Sequence, residues 1–521
     1  MTLRIQSFLL SAAFLVLLNA CGTTGQAPGA KPAVVQERPV KSGTGDSEDY
    51  DLQYQLHREP FERSLEDVIE LSRHMTGYQP DVALAILRSL ESIPSGELAA
   101  MIDSQIYDPE FTEWLELALQ SRSLLINRDS LPAAAQSWAD YHWGHAITQN
   151  DFSELIYTYR NLFPVPAQVA VLLPTEGGLS SAARAIRDGV LGAYLEQPGN
   201  SVLRFYSSGT DSESVMAAYL QAREDGATQI VGPLRSSSAG ALASLDSPGV
   251  PILLLNEPTE YESLDPERRT AVNSLTLSQT EEAMAIADSV LSHGQNKAIM
   301  IIQDSAWGRR IETAFATRFE QGEGRISDIT RFNSSLEDHN DMLTRLMKID
   351  ESKQRKTDLQ SRLGISLNFE PSRRADFDFI FLAANPEDGR ELKPLLRFHD
   401  VGDVPVYAMG RIFGGKLQQA SNQDLNGIVF PVTAWQLQVS GKDIPKLESI
   451  RGGAYGNLYA LGQDAWQLLP WLPLMQKDPD LWFSGNIGAL RMQADGHLER
   501  QPSWAQFSGG RPIPYEWPSV Q

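Results

Sequence analysis

One thiol stands in the 521-residue sequence, Cys21. It follows Leu18, Asn19 and Ala20 at the end of an apolar run over 8–18, and Arg4 is the single positive charge before it. A run of 11 residues is short of the roughly 20 that cross a bilayer, so it reads as an export signal, not a membrane span. The chemistry this placement offers is lipid modification of Cys21 after cleavage between Ala20 and Cys21. Asn19 stands where a small or β-branched residue is more usual. The other reading is an ordinary secretory signal with a chance cysteine at its cleavage site, which would leave an exported chain with one odd thiol. Each buried acyl methylene contributes about 0.8 kcal/mol, and one chain alone anchors only marginally. The two or three chains of a lipoprotein cysteine would hold firmly. Gly22 follows, not the aspartate that signals inner-membrane retention, which favours the outer membrane.

Two further groups could do chemistry. His142 and His145 are three apart in a helical pattern and could bind a metal in principle, but no third ligand is evident. Trp138, Tyr141 and Trp143 around them favour packing. The second group is a pair of loops. In one, Thr175, Glu176, Ser180 and Ser181 lie between an apolar strand and a helix; in the other, Ser236 and Ser237 follow Gly232-Pro233. N–H groups at a helix start suit a ligand carboxylate. Ser180 could equally cap its helix, and Glu176 would oppose an anion. No G-x-S-x-G elbow, H-E-x-x-H or P-loop is present. The residues therefore point to neither catalysis nor a cofactor nor a metal.

The formal charge is −22, and losing Arg4 with the signal leaves −23. That speaks against nucleic acid or anionic lipid as a partner of the whole surface. It is compatible with a basic protein partner. No internal disulfide can form, so stability must come from buried cores.

The elements that would position these groups change character along the chain. Residues 1–20 are the signal. Residues 21–50 are the modified cysteine and a tether poor in large apolar residues, which has too little to bury to fold. Its 28 residues from Gly22 would span about 30 Å as a coil and on the order of 100 Å stretched. Residues 51–164 read as helical hairpins of tetratricopeptide type. One stripe has Val82, Ile86 and Leu90 after Pro80; a second has Phe111, Trp114, Leu115, Ala118 and Leu125, broken by Arg122. A third helix from 130 would carry Ala135, Trp138, His142 and His145. Asn150-Asp151 would separate it from a fourth with Leu155, Tyr159 and Leu162.

From 165 to 521 apolar strands alternate with amphipathic helices. Strands are expected at 168–173, 202–206, 229–231, 251–255, 297–303, 377–382 and 404–409. Helices are expected at 179–197, 212–224, 236–244, 279–292, 307–321 and 386–398. This means parallel sheets covered on both faces, in two doubly wound lobes on the plan of a type I periplasmic binding protein. The chain would cross between lobes near 257–271 and again later. The charged segment 348–374, with Arg355, Lys356, Arg362, Arg373 and Arg374, reads as a helix and an exposed excursion.

The stretches AVLLPTEGGLSSAARAIRDGVLGAY, IVGPL, DSAWGRRIETAFATRF, DFDFIFLAANPEDGRELKPLLRFH, PVYAMGRI and NLYALGQDAWQL, in that order, make the chain similar to the LppC/LpoA family over roughly 165–515. The first loop departs from the Pro-Leu-Ser-Gly-Pro type often found there, and the helical region is shorter than in the longer members. The resemblance implies a non-enzymatic outer-membrane lipoprotein that faces the periplasm. It would bind and activate a class A penicillin-binding protein, stimulating peptidoglycan cross-linking, with peptidoglycan a second contact to consider. The rival reading from the bilobed plan alone is a lipoprotein receptor for an amino acid or similar solute.

Overall fold

Proline and carboxylate signals open the helices that precede the first strand. In the computed structural model these are α1 (Leu65–Arg73), α2 (Pro80–Leu90), α3 (Ser95–Asp103), α4 (Pro109–Ile126), α5 (Leu131–Tyr141) and α6 (Gln149–Arg160). The structure describes residues 63–518 except 74, 76, 92, 127–129, 143, 164, 197–199, 259–271, 335–338, 416–417, 438–452 and 454. The signal, Cys21 and the 21–50 tether lie outside the described residues. Pro80 is the first residue of α2, where its missing N–H is harmless. Asp108 accepts from the Phe111 N–H and so caps α4. The α4 stripe faces inward as a whole: Phe111, Trp114, Leu115, Ala118, Arg122 and Leu125 are all buried. Helix α4 packs against α1, α2, α3 and α6.

Two helix limits differ from expectation. Helix α5 stops at Tyr141; His142 has a non-helical backbone (φ −117°, ψ 44°), and His145 lies in the loop beyond. Helix α6 starts at Gln149, because Thr148 and Asp151 form a reciprocal capping box. Asn150 and Asp151 are therefore in its first turn and do not separate two elements. Leu162 falls past its end and is exposed.

The rest is α/β. The first lobe has β1 (Gln168–Leu173), α7 (Ser180–Glu196), β2 (Val202–Ser207), α8 (Ser212–Glu224), β3 (Gln229–Val231), α9 (Ser236–Ala243), β4 (Ile252–Leu254) and β5 (Val272–Leu275). The second has α10 (Gln279–Ser292), β6 (Lys297–Gln303), α11 (Ala306–Gln321), β7 (Arg325–Phe332), α12 (His339–Leu346), α13 (Ile349–Leu363), β8 (Phe379–Ala383), α14 (Pro386–Phe398), β9 (Val406–Ala408) and β10 (Ile428–Val432). Helices α15 (Gly456–Gln467) and α16 (Leu472–Lys477) lead to β11 (Trp482–Ser484), β12 (Ala489–Met492) and β13 (His497–Gln501). The described chain ends with β14 (Ser503–Ser508) and β15 (Arg511–Pro514).

The first sheet runs β2-β1-β3-β4-β5-β13-β12-β11, and the second β7-β6-β8-β9-β10-β14-β15. In each, the first five strands to form are parallel and wound in the same order; the returning strands complete the edge. The apolar run of β6 is continuous because both faces are covered. Ile299 and Ile301 join one core with Ile380 and Leu382. Met300 and Ile302 join the other with Phe379 and Phe381. That is the two-residue alternation of a strand with no wet face.

The crossings correct one expectation. Val272–Leu275 pairs with β4 (Ile252↔Val272) and is the fifth strand of the first sheet. The first crossing therefore lies after it, at residues 276–278, not at 257–271. Helix α10 already belongs to the second lobe, since Ala283, Ile286 and Val290 enter its core. The chain returns between β10 and α15. It crosses a third time at Pro502, the one residue between β13 and β14.

The charged segment is only partly exposed. Of α13, only Ser352 is buried. The side chain of Arg374, however, is almost fully covered and paired with Asp328 and with Asp376 at 2.7 Å. Arg373 donates to Asp403 and to the Asp400 carbonyl. These two arginines fasten the excursion to the lobe and leave the exposed basic set.

Candidate functional site

Strands β1 and β3 are adjacent and parallel, so the two loops singled out from the sequence leave the same end of the sheet side by side. That is where ligands of open α/β sheets bind. Thr175 Oγ1 is 2.8 Å from Ser207 Oγ. Glu176 and Ser181 are exposed. The Ser180 N–H bonds to the Gly177 carbonyl, and Ser180 is the first residue of α7 rather than its cap. Ser236 opens α9 and donates its hydroxyl to the Glu257 carbonyl, while Ser237 is exposed. None of the six lines either of the two cavities described below.

The histidine pair is a packing site. Trp138 stacks on His142 (4.0 Å between centroids), and His145 stands edge-on to Trp114 and Trp138. Glu113 and Glu116 approach His142 at 3.7 and 3.3 Å. His145 Nδ1 accepts the Ile147 N–H at 3.1 Å. Its proton must then sit on Nε2, which removes the lone pair a metal would need. Burial, and secondarily the charge of His142, push the His145 pKa down to about 4.

Two junctions hold polar groups whose partners sequence reasoning missed. The first joins the helices to the first lobe. Arg122, the interruption of the α4 stripe, forms an ion pair of 2.7 Å with Asp478, and both side chains are almost fully buried. Arg122 also donates to the Leu90 carbonyl at 2.7 Å. Asp478 accepts from the Ser95 N–H and hydroxyl and from the Asp480 N–H. Nearby Lys477 meets Glu91 at 3.1 Å, and Arg160 lies over the Trp471 ring. A cavity of about 760 Å³, lined by Phe163, Pro248, Leu472 and Lys477 among others, opens beside this junction. A lone arginine in an apolar stripe at helical spacing is a signal that could have marked Arg122.

The second junction is the crossing at 276–278. Ser278 caps α10 through the Glu281 N–H, which sets Glu281 in the first turn. Strand β13 runs parallel to β5 with His497 opposite Ser274. His497 Nδ1 is 3.0 Å from Ser274 Oγ, and Nε2 is 3.0 Å from Glu281 Oε1. Glu257, beyond β4, brings its carboxylate to the same place. Protein packed around it, and then the Glu281 charge, push the Glu257 pKa up to about 7. Burial alone would lower the His497 pKa, but Glu281, Glu257 and Asp495 outweigh it and hold that pKa above its usual value. Next in sequence, Glu282 accepts the Gly410 N–H of the second lobe at 2.7 Å and faces Arg500 of β13 at 3.8 Å. Burial raises its pKa. A cavity of about 580 Å³ opens here between β5 and β13 of one lobe and α10 and α11 of the other. Nothing in the sequence joins these residues, which lie some 240 positions apart at the extremes.

The chain matches the model of the family described as "LppC putative lipoprotein" over residues 69–510. Among curated proteins it is similar to the penicillin-binding protein activator LpoA of Photobacterium profundum, 24% identical over 76% of this chain and 64% of that one. The chain thus spans slightly less than two thirds of that relative's length. The protein of the same name in Vibrio antiquarius is 24% identical over 87% of this chain and 77% of that one. Such relatives are named as activators, not as enzymes. Among solved structures, Haemophilus influenzae LpoA matches with a TM-score of 0.55 at 21% identity, over 87% of this chain and 77% of that one. The C-domain of Haemophilus influenzae LpoA, described as a regulator of PBP1A, matches with a TM-score of 0.51 at 20% identity. It aligns with 67% of this chain and all of its own length. These structures share the two-lobed α/β fold. Matched along most of its length, the chain belongs to the LppC lipoprotein family.

Proposed function

We propose that this chain is an outer-membrane lipoprotein, anchored through Cys21 and facing the periplasm, that binds and activates a class A penicillin-binding protein and so stimulates peptidoglycan cross-linking. The observation that carries the reading is similarity along 87% of the chain to a relative named as a penicillin-binding protein activator. The Cys21 lipobox and the Gly22–Asp49 stretch supply an anchor and a leash of on the order of 100 Å. We read residues 51–164 as tetratricopeptide-like hairpins that carry residues 165–521, the binding-protein-like part, toward the synthase. Activation is then a population shift: the regulator binds the synthase's active state more tightly than its resting state.

The test has two arms. Purified full-length protein should retain a class A synthase on affinity resin. The Cys21→Ser variant should leave the membrane fraction yet still retain the synthase. Failure to bind the synthase would end the activator reading, and unchanged membrane fractionation of Cys21→Ser would end the lipid assignment. The solute-receptor reading draws no support from the named relatives.

A further inference from the structure

Most charged groups at the two junctions are used up in contacts within the protein; one cluster at the crossing still converges on a common point. Glu257, Glu281 and His497 each offer a ligand atom, and these atoms lie within 4.8 Å of one another. Among the described residues no other trio of such side chains does so. We propose that Glu257, Glu281 and His497 bind a divalent transition-metal ion of the Zn²⁺ class, which clamps the first crossing between the lobes. The proposal goes beyond the synthase reading and does not depend on it.

Four observations carry it. First, the imidazole is set for ligation. His497 Nε2 faces the carboxylates, while Nδ1 lies 3.0 Å from Ser274 Oγ, a hydroxyl able to accept Nδ1–H. A ligating histidine needs such a partner for its second nitrogen. His145 is the internal contrast, because its Nδ1 is occupied as an acceptor. Second, both carboxylate oxygens of Glu281 are buried without an aligned hydrogen bond, and the one cationic group beside them is His497, itself a metal-ligand type. Third, the neighbouring cations are engaged elsewhere. Arg318 pairs with Asp288 at 2.7 Å, Arg491 with Glu499 at 2.6 Å, and Arg500 faces Glu282. Fourth, Glu257, Glu281 and His497 all line the 580 Å³ cavity, which leaves room for entry and for a water as a further ligand.

The donor set selects the class of ion. One imidazole with two carboxylates suits Zn²⁺ and its transition-metal neighbours, whereas Ca²⁺ and Mg²⁺ take oxygen ligands. The positions give the ion its consequence. Glu257 and His497 belong to the first lobe, and Glu281 belongs to α10, whose apolar side is in the second lobe's core. An ion held by all three would fix the angle at the 276–278 crossing.

The test uses the full-length protein, stripped with chelator and dialysed against buffered Zn²⁺, with bound metal counted by mass spectrometry and affinity measured by competition with a chelating dye. One Zn²⁺ per chain is expected. His497→Ala and Glu281→Gln should weaken binding by about tenfold or more each, and Ser274→Ala by about tenfold. His145→Gln should leave it unchanged. Because a junction variant could fail to fold, Glu257→Gln, at an exposed residue, is measured beside them with circular dichroism as the folding control. Absence of stoichiometric Zn²⁺, or binding that survives both His497→Ala and Glu257→Gln in folded protein, would overturn the site. Equal binding of Ca²⁺ that ignores His497→Ala would overturn it too.

Discussion

The two junctions of this molecule solve the burial of charge in opposite ways. Between the helices and the first lobe, Arg122 and Asp478 are buried together, and each Asp478 carboxylate oxygen accepts two hydrogen bonds. Between the lobes, Glu257, Glu281, Glu282 and Asp495 gather around His497 and Arg500, while Arg318 and Arg491 of the same cavity are paired with Asp288 and Glu499, and two carboxylate oxygens are left without an aligned donor. The first arrangement has one good geometry and holds the helices in one place. The second is short of positive charge and can be changed by what enters it. The regulator role proposed above would use both: a fixed mount, and a joint whose setting a ligand or partner can alter.

The sharpest way to break this contrast is at the mount. Arg122→Ala leaves Asp478 buried without its partner, which should lower stability by about 3–5 kcal/mol. Urea unfolding checks it. The double variant Arg122→Met with Asp478→Leu should recover much of the loss, since a well-packed apolar pair can replace a buried ion pair. A loss under about 1 kcal/mol in Arg122→Ala would mean the pair is not the mount.

A smaller effect is expected inside the first lobe. Helices α7 and α15 approach so closely that a Cβ on Gly462 would stand 2.1 Å from the Ile186 carbonyl oxygen. Gly462→Ala should therefore force the helices apart and lose about 1–3 kcal/mol. Thermal denaturation decides this, and an unchanged melting temperature would show that the contact yields.

The smallest effect concerns protons. His145 has an ordinary pKa of 6.5 when unfolded and about 4 when folded. Between these values the unfolded chain takes up a proton that the folded chain refuses. Stability should thus fall as pH drops from about 6.5 to about 4, by on the order of 1–2 kcal/mol after allowing for partial solvent access. Above pH 6.5 His145 contributes no slope. Melting curves across that window should fall less steeply for His145→Gln than for the parent. Equal slopes would place the acid sensitivity elsewhere.

Much of the α/β part was legible because its strands are buried on both faces. QVAVLL and KAIMII read as strands from their apolar continuity alone, and helices over 212–224, 279–292 and 386–398 end where their patterns end. Strand β5, with the sequence VNSL, was not legible: it is four residues long, carries two polar side chains, and is recognised only by its pairing with β4. The crossing was misplaced for that reason. Strand β7 was hidden by its half-exposed edge position, with Arg and Asp side chains between its apolar residues. The loops at the ends of β1 and β3 were readable from the strand–turn–helix pattern. The Glu257, Glu281 and His497 cluster was not, since only the return of β13 to the first sheet brings His497 beside the crossing. Arg122 was visible as an anomaly, but its partner Asp478 lies 356 residues away.

Regulation of a synthase is the claim on which the functional reading depends. The direct measurement is the fraction of cross-linked muropeptides made from lipid-linked precursor by a purified class A penicillin-binding protein, as full-length protein is added. A saturable rise in cross-linking is predicted at concentrations where the two proteins bind. Unchanged cross-linking across that range, with the synthase active and the added protein folded, would contradict it.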